Sequence, residues 1–162
     1  MRLGEILAVD RIDADFTATS KHAALEALAE LLCEGLNEAG ATASTVDVLR
    51  VLEAREALQS TGVGSGVAIP HGRLGGLDRF VGALAIHHHG VEFEAIDGRP
   101  VSILFAVIGP EKAAGEHLKC LARIGRLLRD DSVRERLQRA TSPEDALSIV
   151  READGEAPRS AL

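Results

Sequence analysis

Hydrophobic residues recur at intervals of three or four positions in the first third of the chain, the spacing that predicts amphipathic helices. The first such stripe follows Ser20, a residue that favours the N-cap position, and ends at Gly40. The second starts at Ser44, where Asp47 stands three residues later as in a capping box, and extends to about Leu58. Both segments are therefore predicted to be helices with one face in the core.

The same spacing returns in the last third of the chain. It predicts a long helix over 113–129 and a short one over 131–139. A last helix is predicted over 142–153, because a serine suited to the N-cap is followed there by proline and two acids. Residues 154–162 contain Gly, Pro and Ser without periodicity, so we expect a flexible tail after a domain that spans residues 1–153.

Shorter apolar runs of strand character lie between the two helical regions. Residues 80–88 have the composition of a strand, and the continuous apolar run 101–108 suits a strand that is buried on both faces, with a turn at Asp97 and Gly98 between them. A further short strand is predicted at 67–69. Strands that alternate with helices predict a single α/β domain, in which a mixed β-sheet is flanked by helices on its faces.

Composition and charge exclude several classes of function. The chain has 162 residues, enough for one domain with its own core, and a formal net charge of −7. A negative charge disfavours general binding to nucleic acids or anionic membranes. The chain has four Phe and no Tyr or Trp, so few side chains could stack on nucleic-acid bases. The longest apolar run is too short to span a bilayer. We therefore expect no nucleic-acid partner and no membrane insertion.

The positions of cysteine and histidine indicate where in the cell the protein is located and whether it binds a metal. Cys33 and Cys120 lie far apart without CxxC spacing, and the acidic N-terminus carries no export signal, so a cytoplasmic location is expected. The run 87–89 consists of three histidines in a predicted strand, where adjacent side chains point to opposite faces and cannot all converge on one metal. We interpret the run as an exposed strand end, and we expect neither a metal nor a cofactor.

The segment 60–72, STGVGSGVAIPHG, is the most unusual in the chain. It lacks the Gly-Lys-Ser/Thr ending of a P-loop, and a helix precedes its glycines where a dinucleotide fingerprint needs a strand. One alternative is a glycine-rich surface turn. The other is an anion site, because small residues and glycines let backbone N–H groups point into a concavity and bind a phosphate.

His71 favours the anion site. Pro70 restricts the backbone before it and Gly72 leaves space after it, so the imidazole is predicted to project from a stiff, uncrowded turn. Histidine beside an anion site suggests phosphoryl chemistry on a ring nitrogen. His117 in the first turns of a helix and Arg55 in the last turn of another could assist, but from the residues alone a surface histidine and a solvated arginine are the default interpretations.

Arg55 together with segment 60–72 resembles the active-site region of the enzyme IIA proteins of the fructose, mannitol and nitrogen class in the phosphoenolpyruvate phosphotransferase system. The resemblance continues through Phe93–Val101, the apolar strand and the helix around His117, so it covers roughly residues 3–153. It implies the mannitol- and fructose-type IIA fold. It also implies a phosphoryl carrier whose His71 accepts the group from a phosphorylated carrier protein of the HPr or NPr type.

The resemblance also implies roles for the neighbouring residues. His117 would hydrogen-bond the phosphoryl oxygens, and Arg55 would stabilise their charge. The backbone of Ser60, Thr61 and Gly62 would line the phosphate pocket. No metal is required for such a transfer, because catalysis is mainly positioning and charge stabilisation.

Within the family, the absence of a fused transport or DNA-binding domain favours the nitrogen-regulatory branch, in which phosphorylated and free forms bind different target proteins. Ser65 departs from this branch, where Asn is common at that position. One alternative is a stand-alone fructose- or mannitol-type IIA that passes the phosphoryl group to a sugar-transport IIB. Another is an interaction module whose His71 is never phosphorylated.

Overall fold

Two long antiparallel strands near the middle of the chain form the centre of the structure. The computed structural model describes residues 1–155. Its helices are α1 (Leu3–Ile6), α2 (Lys21–Glu38), α3 (Thr45–Leu58), α4 (Ala114–Leu128), α5 (Asp131–Gln138) and α6 (Pro143–Ala153). Its strands are β1 (Ile12–Asp13), β2 (Gly62–Gly64), β3 (Val67–Ala68), β4 (His71–Leu74), β5 (Val81–Val91) and β6 (Val101–Pro110).

The strands form one mixed sheet in the order β1-β5-β6-β3-β2, with β4 also paired to β6. The central pair, β5 and β6, is antiparallel, whereas β1 runs parallel to β5. Strands β3 and β4 lie parallel to consecutive stretches of β6, with Val67 opposite Ile103 and His71 opposite Val107. The predicted α/β class with a mixed sheet is confirmed.

Strand β6 is buried on both faces, as its continuous apolar run predicts. Ile103, Phe105 and Val107 belong to the core beneath α1, α4, α5 and α6, while Leu104 and Ile108 belong to the core beneath α2 and α3. Successive side chains of a strand point to opposite faces, so one strand supplies both cores. The sheet is therefore the middle layer between two helical layers.

The predicted helix starts are confirmed by their capping hydrogen bonds. The Ser20 hydroxyl accepts from the backbone N–H of Ala23 at 3.1 Å, and Ser44 and Asp47 form a reciprocal capping box. Ser142 caps α6 in the same way, with proline at the first helical position. These signals are local in sequence, so they could be identified before the fold was known.

The C-terminal end of the described chain is held by the rest of the protein. Asp154 was expected in the flexible tail, but its carboxylate accepts from the backbone N–H of Leu3 at 2.8 Å and from Nε of Arg123 at 2.6 Å. The rest of the predicted tail, residues 156–162, lies outside the described residues. None of the helices within residues 1–155 has the length and apolar character needed to cross a membrane.

The histidine run is not simply an exposed strand end. His87 is buried, and its Nε2 lies 2.8 Å from the carbonyl oxygen of Ala18, while Nε2 of His88 lies 2.9 Å from that of Ala14. The strand register shifts between Ile86 and Val91. The segment after β1 runs alongside β5, where the N–H of Phe16 donates to the Ile86 carbonyl, and it covers His87. This contact joins positions about 70 residues apart, so strand alternation alone could not predict it.

Candidate functional site

His71 is the first residue of β4, not part of a turn as the sequence suggested. The carbonyl of Pro70 accepts a hydrogen bond from the N–H of Val107, which ties this point of the chain to β6. Gly72 does not leave open space either: a Cβ there would lie 2.2 Å from Cγ1 of Val51. Helix α3 therefore packs directly against β4, and glycine is what allows this approach.

The hydrogen bonds of His71 distinguish its two ring nitrogens. Nδ1 lies 2.8 Å from the carbonyl oxygen of Ile69, which can only accept, so Nδ1 carries the proton. Nε2 then holds the lone pair, and it accepts from Nε of Arg55 at 3.2 Å. Burial lowers the pKa of His71 below its usual value; the Ile69 carbonyl opposes this shift, and the Arg55 charge adds to it. The neutral ring thus presents Nε2 as its nucleophilic atom.

Arg55 is held from two sides. It lies in the last turn of α3, and its Nη1 donates to the carbonyl oxygen of Gln59 at 2.8 Å while its Nε donates to His71. The first bond anchors the guanidinium at the helix end, where the exposed carbonyls favour a cation. A fixed cation beside Nε2 can stabilise an anion that arrives at this nitrogen.

His117, on α4, lies beside the His71 ring. The two ring centroids are 5.5 Å apart, and the Phe80 ring stacks on His117 at 6.0 Å. Gly109 makes room for this packing, since a Cβ there would lie 2.8 Å from Nδ1 of His117. The sequence predicted the helix position of His117 but not the aromatic wall that fixes its ring.

His117 is neutral at physiological pH. Burial, and then the charges of His71 and Arg73, lower its pKa to about 4. Its Nδ1 is buried and has no hydrogen-bond partner among the residues that the structure describes. A buried N–H without an acceptor is costly, so the proton is better placed on Nε2.

Glu56 is a buried carboxylate beside the site that the sequence analysis missed. It accepts from the backbone N–H of Thr61 at 3.0 Å and from the Thr61 hydroxyl, and it pairs with Nζ of Lys21 at 2.8 Å. Burial raises its pKa, but the bonds from Lys21 and Thr61 outweigh burial, so the net pKa is lowered. A sequence signal existed: Glu56 continues the buried stripe of Val48 and Leu52 at four-residue spacing.

The backbone of segment 60–65 already has hydrogen-bond partners within the chain. The N–H of Thr61 donates to Glu56, the N–H of Gly62 donates to the Ser60 hydroxyl at 3.1 Å, and the N–H of Ser65 donates to a carboxylate oxygen of Asp97 at 3.0 Å. The expected cradle of free N–H donors is therefore not present at Thr61 and Gly62. The segment forms a β-hairpin instead, because β2 pairs antiparallel with β3.

A groove of about 760 Å³ borders His71. One wall is the hairpin, including Ser60, Thr61 and Gly62, with Arg55 beside it, and the other wall is the C-terminal half of α4 with the start of α5. The structure thus brings His71, Arg55 and His117 together and places segment 60–62 at their edge. No cluster of three or more His, Cys, Asp or Glu within residues 1–155 is arranged to hold a metal ion.

Comparison with known proteins identifies the family. Residues 5–153 match the family model described as "Phosphoenolpyruvate-dependent sugar phosphotransferase system, EIIA 2". The chain belongs to this family. The resemblance inferred from Arg55 and segment 60–72 is therefore confirmed.

The relatives of this IIA chain include two curated proteins named "Nitrogen regulatory protein". The one from Bradyrhizobium diazoefficiens is 38% identical over 152 residues, which span 93% of this chain and 95% of the relative. The one from Pseudomonas aeruginosa is 39% identical over 150 residues, with the same two coverages. The IIA chain is thus similar to nitrogen regulatory proteins over nearly all of its length.

Solved structures agree with the fold. The nitrogen regulatory protein IIA-Ntr from Neisseria meningitidis superposes with a TM-score of 0.84 at 40% identity, covering 91% of this chain and 98% of that one. The mannitol IIA from Escherichia coli superposes with a TM-score of 0.71 at 22% identity, covering 89% of this chain and 98% of that one. The expected IIA fold is confirmed.

Proposed function

We propose that this IIA chain is a histidine phosphoryl carrier that accepts a phosphoryl group on Nε2 of His71 from a phosphorylated carrier protein of the HPr or NPr type. One observation carries the proposal: Nδ1–H of His71 is held by the Ile69 carbonyl, so the lone pair of Nε2 stands beside the Arg55 guanidinium. A neutral imidazole with its nucleophilic nitrogen next to a fixed cation suits acceptance of an anionic phosphoryl group. We propose that this transfer takes place in the cytoplasm.

In the proposed step, the Nε2 lone pair of His71 attacks phosphorus and forms a new N–P bond. The N–P bond to the donor histidine breaks, and its electron pair returns to the donor ring. No proton leaves His71, because Nδ1–H remains on the Ile69 carbonyl, which stabilises the positive character that the phosphorylated ring acquires. No cofactor or metal enters this balance.

Arg55 and His117 are proposed to hold the phosphoryl oxygens. The Arg55 Nε that now donates to Nε2 would donate to a phosphoryl oxygen once Nε2 is occupied, while the Gln59 carbonyl keeps the guanidinium in place. His117 is neutral and has a buried, unpartnered Nδ1 within the described chain, which leaves Nε2–H as its donor. Ser60, Thr61 and Gly62 are proposed to shape the pocket through the hairpin.

The regulatory branch is the proposed setting of this carrier. Its support is the two nitrogen regulatory proteins that match nearly the whole chain at 38% and 39% identity. The partners would then be the phosphocarrier and regulatory target proteins. The alternative is transfer to a sugar-transport IIB, which the word "sugar" in the family description favours. Transfer from phospho-His71 to a fructose- or mannitol-type IIB would support this alternative.

The test is intact-mass analysis after incubation with phosphoenolpyruvate, enzyme I and the HPr-type carrier from the same source. We expect one acid-labile phosphoryl adduct on the parent chain and none on His71→Ala. His22→Ala is the matched control, because His22 is an exposed histidine on α2, and it should keep the adduct. No adduct on the parent with an active donor would leave only the interaction module, and an adduct that persists in His71→Ala would place the phosphoryl group elsewhere.

A further inference from the structure

The groove beside His71 has the opposite charge to the protein as a whole. The chain has a formal net charge of −7, yet the groove is lined by four arginines and a single acid, Asp131. The arginines are Arg55, Arg126, Arg129 and Arg134. A basic groove in an acidic protein is a local feature that the overall charge does not explain.

Two of these arginines have no partner within the described chain. Arg134 pairs with Asp131 and donates to the Leu128 carbonyl, and Arg55 is held at the site. No hydrogen bond or ion pair engages the side chains of Arg126 and Arg129 within residues 1–155, and both are exposed. Their positive charge is therefore free to act on a partner.

The nearby acids do not neutralise the arginines on the wall formed by the end of α4 and the start of α5. The Asp130 carboxylate accepts from the backbone N–H groups of Ser132 and Val133 at the start of α5, and Asp131 is paired with Arg134. The C-terminal end of α4 favours a cation, which accounts for Arg126 in its last turn. The same preference extends to Arg129 at the C-cap of α4 and to Arg134, whose Nη1 donates to the Leu128 carbonyl, but it supplies no counter-charge for Arg126 or Arg129.

The opposite wall is apolar and exposed. Val63 at the hairpin is 50% exposed, and Ile96 is 66% exposed. An apolar wall and a basic wall in one groove that His71 also lines have the character of a protein-docking site, in which apolar contacts lie beside charged ones. A small anion would use the arginines but not Val63 and Ile96.

Resting on the proposed function, we propose that Arg126, Arg129 and Arg134 form the electrostatic half of the docking site for the phosphocarrier, and that the carrier presents acidic side chains to this wall beside its phosphohistidine. Complementary charge steers association and raises the rate of productive encounter. The attraction falls with salt, because the screening length is about 10 Å at 0.1 M ionic strength. The arginine wall thus selects a carrier with an acidic face.

The experiment measures kcat/KM for phosphoryl transfer from the phosphorylated carrier of the same source, by rapid quench and intact mass, at several salt concentrations. In the double variant Arg126→Glu/Arg129→Glu we expect kcat/KM at low salt to fall by about 10-fold or more, with a weaker or reversed salt dependence. Arg50→Glu/Arg139→Glu is the matched control. Its two arginines are exposed, lie outside the groove lining and change the net charge equally.

Several outcomes would overturn the proposal. Equal rates in the two double variants would show that only net charge matters, and a faster Arg126→Glu/Arg129→Glu variant would show that the carrier face is basic. Inhibition of the parent by pyrophosphate at constant ionic strength, lost in Arg126→Glu/Arg129→Glu, would assign the wall to a small anion. Thermal unfolding of both variants controls for folding. A parent that accepts no phosphoryl group at all would instead contradict the proposed function.

Discussion

His71 and His117 have ring centroids 5.5 Å apart, but they meet different surroundings. His71 has a partner for each nitrogen, so its tautomer is fixed by the Ile69 carbonyl and Arg55. His117 is packed against Phe80 with one nitrogen unpartnered among the described residues. Nε2 is thus the acceptor nitrogen in His71, whereas the proton is better placed on Nε2 in His117, and burial is the main cause of the lowered pKa in both.

The lowered pKa of His117 makes stability depend on pH. Between about 4 and the ordinary value of 6.5, the unfolded chain binds a proton that the folded chain does not, so the free energy of unfolding decreases as pH falls through this window. We expect the parent to lose about 1–3 kcal/mol more than His117→Gln between pH 7 and pH 4.5. Urea unfolding at the two pH values measures this difference.

Exposed His22 supplies the control for this experiment. His22→Gln removes an exposed histidine and leaves His117 in place, so it should keep most of the stability loss that the parent shows on acidification. If His117→Gln lost as much stability as the parent, the buried neutral imidazole of His117 would not be the source of the pH dependence.

At the scale of elements, local signals were predictable and contacts between distant segments were not. The caps of α2 and α3 involve residues three positions apart, so the sequence predicted both helix starts. His71 was expected in a turn, but it pairs with Val107 in β6. This contact joins residues 36 positions apart, so the local sequence could not predict it. Gly72 was expected to leave space, and only the packing of α3 against β4 shows that Val51 occupies it.

The candidate site follows the same division. The motif predicted His71, Arg55 and the hairpin residues, because their chemistry is visible in the residue types. Contacts between distant elements could not be predicted in this way. Two examples are the Phe80 ring against His117 and the ion pair between Lys21 in α2 and Glu56 in α3. A charged residue on an otherwise apolar stripe was the one sequence sign of this second contact.

Glu56 connects three elements, so its loss is expected to affect both stability and rate. In Glu56→Gln, the partly buried Lys21 loses its ion pair at 2.8 Å and keeps only Glu94 at 4.0 Å, and the amide replaces an acceptor at Thr61. We expect a loss of about 1–3 kcal/mol in the free energy of unfolding. We also expect slower phosphorylation of His71, because the hairpin beside Arg55 loses its anchor on α3.

Glu53→Gln is the matched control on the same helix. Glu53 is partly exposed and contacts His22, so its substitution should change stability by less than about 0.5 kcal/mol and leave the phosphorylation rate unchanged. Chemical denaturation and the initial rate of adduct formation measure the two effects. If Glu56→Gln matched Glu53→Gln in both measurements, the buried carboxylate would have no positioning role.

At the scale of the whole molecule, the ends of the described chain meet at Asp154. Its side chain is 5% exposed, and its carboxylate joins the start of α1, through the N–H of Leu3, to Arg123 on α4. The contact spans 151 residues, so it closes the helical layer of α1, α4, α5 and α6 over one face of the sheet. The candidate site around His71 is built on other contacts.

This separation gives a prediction in which stability and activity diverge. Asp154→Ala removes the acceptor of the buried Leu3 N–H and the carboxylate partner of Nε of Arg123, so we expect a loss of about 1–3 kcal/mol in the free energy of unfolding, with the rate of His71 phosphorylation unchanged under folding conditions. Asp78→Ala removes an exposed acid whose only ion-pair contact among the described residues is a 3.9 Å approach to the neighbouring Arg79, and it should change neither quantity measurably. Urea unfolding and adduct kinetics on the same preparations compare the two variants. A slower phosphorylation rate in fully folded Asp154→Ala would mean that the clamp at the chain ends also positions α4, and with it His117, for phosphoryl transfer.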